Sequence, residues 1–297
     1  MAVLKRRIKF FDGEVCTRIG LWVNIFLTAF KLFAGLVGNS RAMVADSIHS
    51  LTDVLATGIV YVGIRISSKP ADDKHPYGHG NADTIASFLV ALILLMTGLY
   101  LGYSAVHIFI HKHLETPKSI ALYAAVASII IKESLYYYTV KVGRKLNSQA
   151  IIANAYDHRS DAFSSIPALI GIFVARVWGL KIFDPIASLV IAVMIFKIAI
   201  HLMHSSVDII MDESPDPQTL EKITKITSEV AGVVNVHEVK VHQRGPDRTI
   251  DIKIEVDGGI TVNEGHDIAS SVKKSLIESD LRVVDVMVHV NPVKEMT

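Results

Sequence analysis

The chain has one cysteine, Cys16, so it can close no intramolecular disulfide and build no centre on paired thiolates. Charge is sparse as well: Asp, Glu, Lys and Arg are 20% of the 297 residues, and they cancel to a net +1. Without a basic excess there is no electrostatic footprint for nucleic acid. The basic start, Lys5, Arg6, Arg7 and Lys9, is not followed by a short apolar stretch ending in a small-residue cleavage site. It therefore reads as a tail on the cytoplasmic side of a membrane and not as a secretory leader. What the sequence has in abundance is apolar surface. Hydrophobic residues make up 51%, and the mean hydropathy of +0.40 is too high for a soluble globular chain.

That apolarity is concentrated before about residue 207. Six runs there are long enough to cross a bilayer, which takes about 20 helical residues. They cover 16–37, 42–66, 83–109, 119–140, 150–176 and 185–207, separated by turn-forming stretches such as Gly38-Asn39-Ser40, Pro70 to Gly80 and Thr116-Pro117. Lys and Arg in the short loops favour one side: Arg65, Lys69, Lys74, Lys141, Arg144 and Lys145 join the basic N-terminus there. Arg41, Lys112, Lys118, Arg176 and Lys181 lie on the other. The bias places both termini and the 67–81 loop in the cytoplasm, consistent with an even number of spans. The expected location is an inner membrane or one derived from it, with the bilayer itself as a partner.

After Asp212 the pattern becomes that of a soluble domain. Asp216-Pro217 is a helix start, and Leu220, Ile223, Ile226 and Val230 follow at helical spacing. Residues 234–243 read as a strand, Gly245-Pro246-Asp247 as a turn, and Ile250, Ile252, Ile254 and Val256 alternate as a second strand. Asn263 is expected to cap a helix carrying Ile268, Val272 and Leu276, before a last strand through Val284, Val286, Val288 and Val290. The expected architecture is an α-helical membrane domain of six transmembrane helices over 1–207. A C-terminal α+β domain of metallochaperone-like αββαβ order follows over 208–297.

Chemistry is concentrated on two spans. Asp46, His49 and Asp53 lie at helical offsets of three and four, so they share one face of the second span. Asn154, Asp157 and Asp161 do the same on the fifth. An ionisable group in the bilayer costs at least about 2.5 kcal/mol on insertion scales, so two such stripes imply a shared polar cavity. His49, Asp53, Asp157 and Asp161 offer one nitrogen and three carboxylates, with Asp46 and Asn154 beside them as supporting positions. Three carboxylates in contact cannot all remain ionised without a cation. A divalent ion offsets two charges and expels protons as it binds, which is a physical basis for exchanging metal against protons. The rival reading as an intramembrane aspartyl protease needs only two facing aspartates, and nothing else here requires an enzyme. Lys31 on the first span and the Lys132–Glu133 neighbours on the fourth read as packing or local charge compensation.

These residues carry a resemblance. His49-x-x-x-Asp53, Asp157-x-x-x-Asp161 and the loop Pro70-Ala71-Asp72-Asp73-Lys74-His75-Pro76-Tyr77-Gly78-His79-Gly80 resemble the cation diffusion facilitator family along essentially the whole chain. The stretch 148–161 is also similar to the magnetosome iron-transport branch of that family. The resemblance implies a homodimeric metal/proton antiporter that exports metal from the cytoplasm by alternating access, with its transport site at His49, Asp53, Asp157 and Asp161. It implies a loop metal site at Asp72, His75 and His79. It further implies a structural or regulatory metal site in the cytoplasmic domain at His237, His266 and His289, with His242 or Asp285 nearby. Lys253 and Asn291 stand there where the family has ligands, which puts a binuclear centre in doubt. Asn81 replaces a lysine that in some members pairs with the aspartate matched by Asp212. His107, His111 and His113 gather at the outer end of the third span. No resident cofactor is expected; the metal is cargo. Three oxygens and one nitrogen suit Fe(II) or Mn(II), with Zn(II) close behind. The alternative of another class is a non-transporting membrane metal sensor or scaffold of the same fold.

Overall fold

A computed structural model describes residues 2–111, 114–146, 148–245 and 247–293, excluding the side chains of residues 2–14, 146, 149 and 150. Lys112, His113, Asn147 and Pro246 lie outside the described residues, as do the side chains of Lys5, Arg6, Arg7 and Lys9. The first helix, α1, spans Ala2–Val37, followed by α2 Arg41–Ser67, α3 Asn81–His111 and α4 Ser119–Leu146. Next come α5 Gln149–Ser164, α6 Ile166–Val177 and α7 Phe183–Ile210. Among the described residues, six helical stretches are long and apolar enough to cross a membrane, the fifth formed by α5 and α6 together over Ile151–Val177.

The chain forms two compact units. One holds residues up to 58 with 90–201; the other holds 59–89 with 202–297. In the first, helices meet through small residues. Ala34, Ala121, Ala155, Ala168 and Ala187 are buried, whereas Trp22, Phe26, Tyr103, Ile130 and Phe173 point outward. That distribution suits a lipid solvent, where close backbone approach and not apolar burial drives association. Gly171 is the tightest case: a Cβ there would come 2.3 Å from Ala187 Cβ, so α6 and α7 touch nearly backbone to backbone. Asp184 at the start of α7 accepts hydrogen bonds from the Ser40 hydroxyl and the Arg41 N–H, both at 2.6 Å, and so closes the N-terminus of α2.

The fifth span is not the unbroken helix that 150–176 suggests. It stops at Ser165 and restarts as α6, with Pro167 in the first turn. Proline has no N–H to donate to the carbonyl four residues back, so the helical ladder is cut at this level.

In the second unit, α8 Pro217–Ser228, β1 Asn235–Arg244, β2 Asp247–Val256, α9 Val262–Ile277 and β3 Val283–Pro292 give the αββαβ order. The sheet runs β1-β2-β3, antiparallel across the first pair and parallel across the second. The alternating Ile250, Ile252 and Ile254 are all buried, and with Ile223, Val272 and Leu276 they bring α8 and α9 onto the sheet. Asp216 caps α8 as expected, accepting from the Thr219 N–H at 3.0 Å. The cap of α9 is Thr261 and not Asn263. Thr261 and Glu264 form a reciprocal capping box that satisfies two otherwise orphaned backbone donors, which displaces the start by two residues.

Candidate metal-transport site

Within the first unit, α1, α2 and α5 line a partly open cavity of about 360 Å³. Asp53 lines it from α2; Asn154, Asp157, His158 and Asp161 line it from α5; Gly20 and Asn24 line it from α1. Helical spacing accounts for this: Asn154, Asp157 and Asp161 follow each other by about one turn and turn the same way. His49 lies one turn before Asp53, its Nδ1 3.7 Å from Asp53 Oδ1, with the ring 13% exposed. Among the described residues that buried nitrogen has no hydrogen-bond partner, so it is not committed to another protein group.

Two residues set aside as packing are part of this site or beside it. Lys132 reaches in from α4, placing Nζ 2.6 Å from Asp161 Oδ2 and 2.7 Å from Asn24 Oδ1. Lys31 pairs with Asp46 at 2.8 Å, both side chains 1% exposed. Its ammonium also donates to Ser165 Oγ at 2.9 Å, and that hydroxyl donates to Asp46 Oδ1 at 2.9 Å. Asp46 is thus turned toward α1 and the break in the fifth span, whereas Asn154 faces the cavity. Both lysines compensate charge as the sequence suggests, but across helices and not locally. His158 was missed altogether. It is 3% exposed, its Nε2 has no hydrogen-bond partner among the described residues, and it packs on Gly20, where a Cβ would stand 3.1 Å from that nitrogen. The available signal was a histidine between two aspartates of an apolar span.

In the second unit, the loop residues Asp72, His75 and His79 do come together. Among the described residues they are the one group of three His, Cys, Asp or Glu with ligand atoms all within 4.8 Å. His75 Nδ1 lies 3.2 Å from Asp72 Oδ1, and His79 Nε2 lies 3.4 Å from Asp72 Oδ2. His79 Nδ1 is 3.1 Å from the Pro70 carbonyl, which favours the tautomer protonated there and leaves Nε2 free to ligate. Backbone N–H groups of His75 and Lys74, with the His75 side chain, hold Asp72 below the usual carboxylate range. Asp72 is therefore ionised and ready for a cation.

The sheet-domain histidines are not drawn into such a group within one chain. His237 faces Glu255 at 3.8 Å, and His266 lies 3.5 Å from Ser270 on α9. His289 is the strand partner of Lys253, whose ammonium is held by Glu238 at 2.6 Å. That contact keeps Glu238 low in pKa. Asp285 is taken by Lys273 at 2.6 Å. His242 sits between Asp212 at 3.0 Å and Asp251 at 3.4 Å, so Asp212 has a partner here despite Asn81. His107 and His111 stack at the end of α3 with centroids 4.0 Å apart.

Six helices of membrane-spanning length and apolarity among the described residues, three of which line a carboxylate-bearing cavity, together with a small α+β domain, fit an integral membrane transporter for metal cations and not an enzyme. The chain belongs to the cation efflux, or cation diffusion facilitator, family. Residues 17–211 match the cation efflux transmembrane domain and residues 215–293 the cation efflux protein cytoplasmic domain. The manganese efflux system protein MneP of Bacillus subtilis is 39% identical over 280 residues, covering 92% of this chain and 94% of its own. The magnetosome protein MamB of Paramagnetospirillum magneticum is 33% identical over 289 residues, covering 96% and 97%. Among solved structures, a nickel form of a MamM CTD variant aligns at 23% identity over 27% of this chain and 100% of its own, with a TM-score of 0.26.

Proposed function

We propose that this protein is a homodimeric antiporter that exports Mn(II) from the cytoplasm in exchange for protons. The observation that carries this reading is the cavity into which α2 and α5 bring three carboxylates, Asp53, Asp157 and Asp161, with His49 one turn away. Three oxygen donors to one nitrogen make a hard site, which lowers the ordinary preference for zinc and suits Mn(II). The relative at 39% identity, whose name is that of a manganese efflux protein, supports the same ion. Fe(II) is the nearest competitor on ligand chemistry.

In this cycle His49, Asp53, Asp157 and Asp161 bind the ion from the cytoplasmic side. After the spans rearrange, protons entering from outside take over the carboxylates and release the ion. The loop residues Asp72, His75 and His79 bind a second ion near the cytoplasmic face, consistent with the positive-inside bias that places this loop there. The membrane domain extends to about residue 207, and the sheet domain over 208–297 joins two copies. Its metal affinity is modest because Lys253 occupies the place beside His289.

The test is uptake into proteoliposomes under an imposed pH gradient, with Mn(II), Fe(II) and Zn(II) side by side and Asp157→Ala as control. Gradient-driven Mn(II) uptake that the substitution removes supports the reading. Metal binding without uptake of any ion, by folded protein, would favour a sensor or scaffold of the same fold.

A further inference from the structure

Lys31 and Lys132 are both buried in the membrane domain, but they stand differently toward the cavity. Lys31 is matched to Asp46, and neither lines the cavity, so that pair leaves the cavity's charge unchanged. Lys132 is matched to Asp161, which does line it. Its side chain is 5% exposed, and its second partner at 2.7 Å, the Asn24 side-chain oxygen Oδ1, belongs to a residue that also lines the cavity. The cavity thus holds the three carboxylates of Asp53, Asp157 and Asp161 against one ammonium, a net charge of about −2 when all are ionised. That is the charge one divalent ion neutralises.

An ion that takes Asp161 as a ligand meets an ammonium on the same carboxylate. Two cations that close repel strongly where water is scarce. Asn24 is a neutral acceptor already in contact with the ammonium, so Lys132 can leave Asp161 without losing its last hydrogen bond.

We propose that Lys132 is a tethered counter-cation of the transport site. It holds Asp161 while the site is empty, yields that carboxylate to the incoming ion as Asn24 retains it, and recovers Asp161 when the ion leaves. Two properties follow. Metal binds more weakly than the bare donor set would allow, which speeds its release. A monovalent ion brings no more charge than the ammonium it would displace, whereas a divalent ion does, so the exchange discriminates between them. The inference rests on the transport-site reading above and assigns Lys132 and Asn24 their part in it.

The test uses full-length protein in nanodiscs for Mn(II) calorimetry and in proteoliposomes for transport. Lys132→Met should bind Mn(II) at least about tenfold more tightly, with KM and kcat both lower, and its binding should become sensitive to excess Na⁺ or K⁺. Lys132→Gln serves the same purpose if the Met variant does not fold. Asn24→Leu, which removes the receiving carbonyl, should weaken Mn(II) binding while leaving every ligand in place. Unchanged or weaker binding in a folded Lys132 variant overturns the proposal, because a merely structural lysine would give that result. If Asp157→Ala leaves wild-type binding intact, the transport-site reading fails first, and this inference with it.

Discussion

Lys31 Nζ lies 2.8 Å from Asp46 Oδ2, with both side chains 1% exposed and Ser165 hydrogen-bonded to each. The pair ties α1 to α2, and through Ser165 to the break in the fifth span. A buried charge stripped of its partner is far more costly than a buried pair removed whole. Lys31→Met or Asp46→Leu alone should each destabilise the protein by about 3–5 kcal/mol, and the double variant should recover most of the loss. Denaturant titration in detergent measures this. Single variants within about 1 kcal/mol of wild type would mean that the pair is solvated and not buried.

The neighbouring ion pair makes the aspartates of α5 unequal. Asp161→Ala leaves the Lys132 ammonium, 5% exposed, with Asn24 as its remaining partner among the described residues. Asp157 has no ion pair among the described residues. Both substitutions should abolish transport, lowering metal affinity by more than the roughly 10–100-fold that loss of a supporting partner costs. Asp161→Ala should also lose about 2 kcal/mol of stability, which Asp157→Ala should not. Thermal unfolding alongside uptake separates them, and equal stability losses would deny Lys132 its dependence on Asp161.

That inequality marks the limit of what periodicity reveals. The stripe Asn154, Asp157, Asp161 was legible because offsets of three and four fix one helical face. Likewise the alternation of Ile250, Ile252 and Ile254 gave the central strand, since a pleated strand turns every second side chain inward. The Lys132–Asp161 pair spans 29 residues and depends on how α4 and α5 are rotated about their axes, which no local pattern encodes. Pro167 did announce the break at Ser165, but the surrounding run is apolar enough to read as one span. At α9, Thr261 and Asn263 are both capping residues; Glu264 three residues after Thr261 is what selects the former.

The loop group gives a pH prediction. Asp72 is held below its usual range by the His75 backbone N–H first of all. A depressed carboxylate contributes above its unfolded value and is lost only as pH falls through the lower folded one. From about pH 7 to about pH 5 it therefore stays ionised, so its own share of the metal affinity does not change across that window. In an Asp157→Ala background, Asp72→Asn should lower loop affinity by the same factor at every pH in this range. Calorimetric titration decides; a factor that shrinks as pH falls from about 7 to about 5 would contradict the depressed carboxylate.

The geometry of that loop depends on a contact made by a residue with no side chain. A Cβ on Gly80 would come 2.7 Å from the Arg244 carbonyl oxygen and 2.9 Å from its Cβ, so the loop rests against the end of β1 through glycine backbone. The Arg244 guanidinium, 4.9 Å above the Tyr77 ring, closes the same contact from the other side. Backbone on both sides leaves little room to yield. Gly80→Val should therefore lift the loop from β1, moving His79 relative to Asp72 although no donor is altered. We expect faster amide exchange over residues 71–80 and loop metal affinity lower by about tenfold, the lower end of what a lost supporting contact costs. Hydrogen exchange and calorimetry in the Asp157→Ala background measure the two together. Faster exchange with affinity intact would show that Asp72, His75 and His79 hold their arrangement through the local turn alone, without β1.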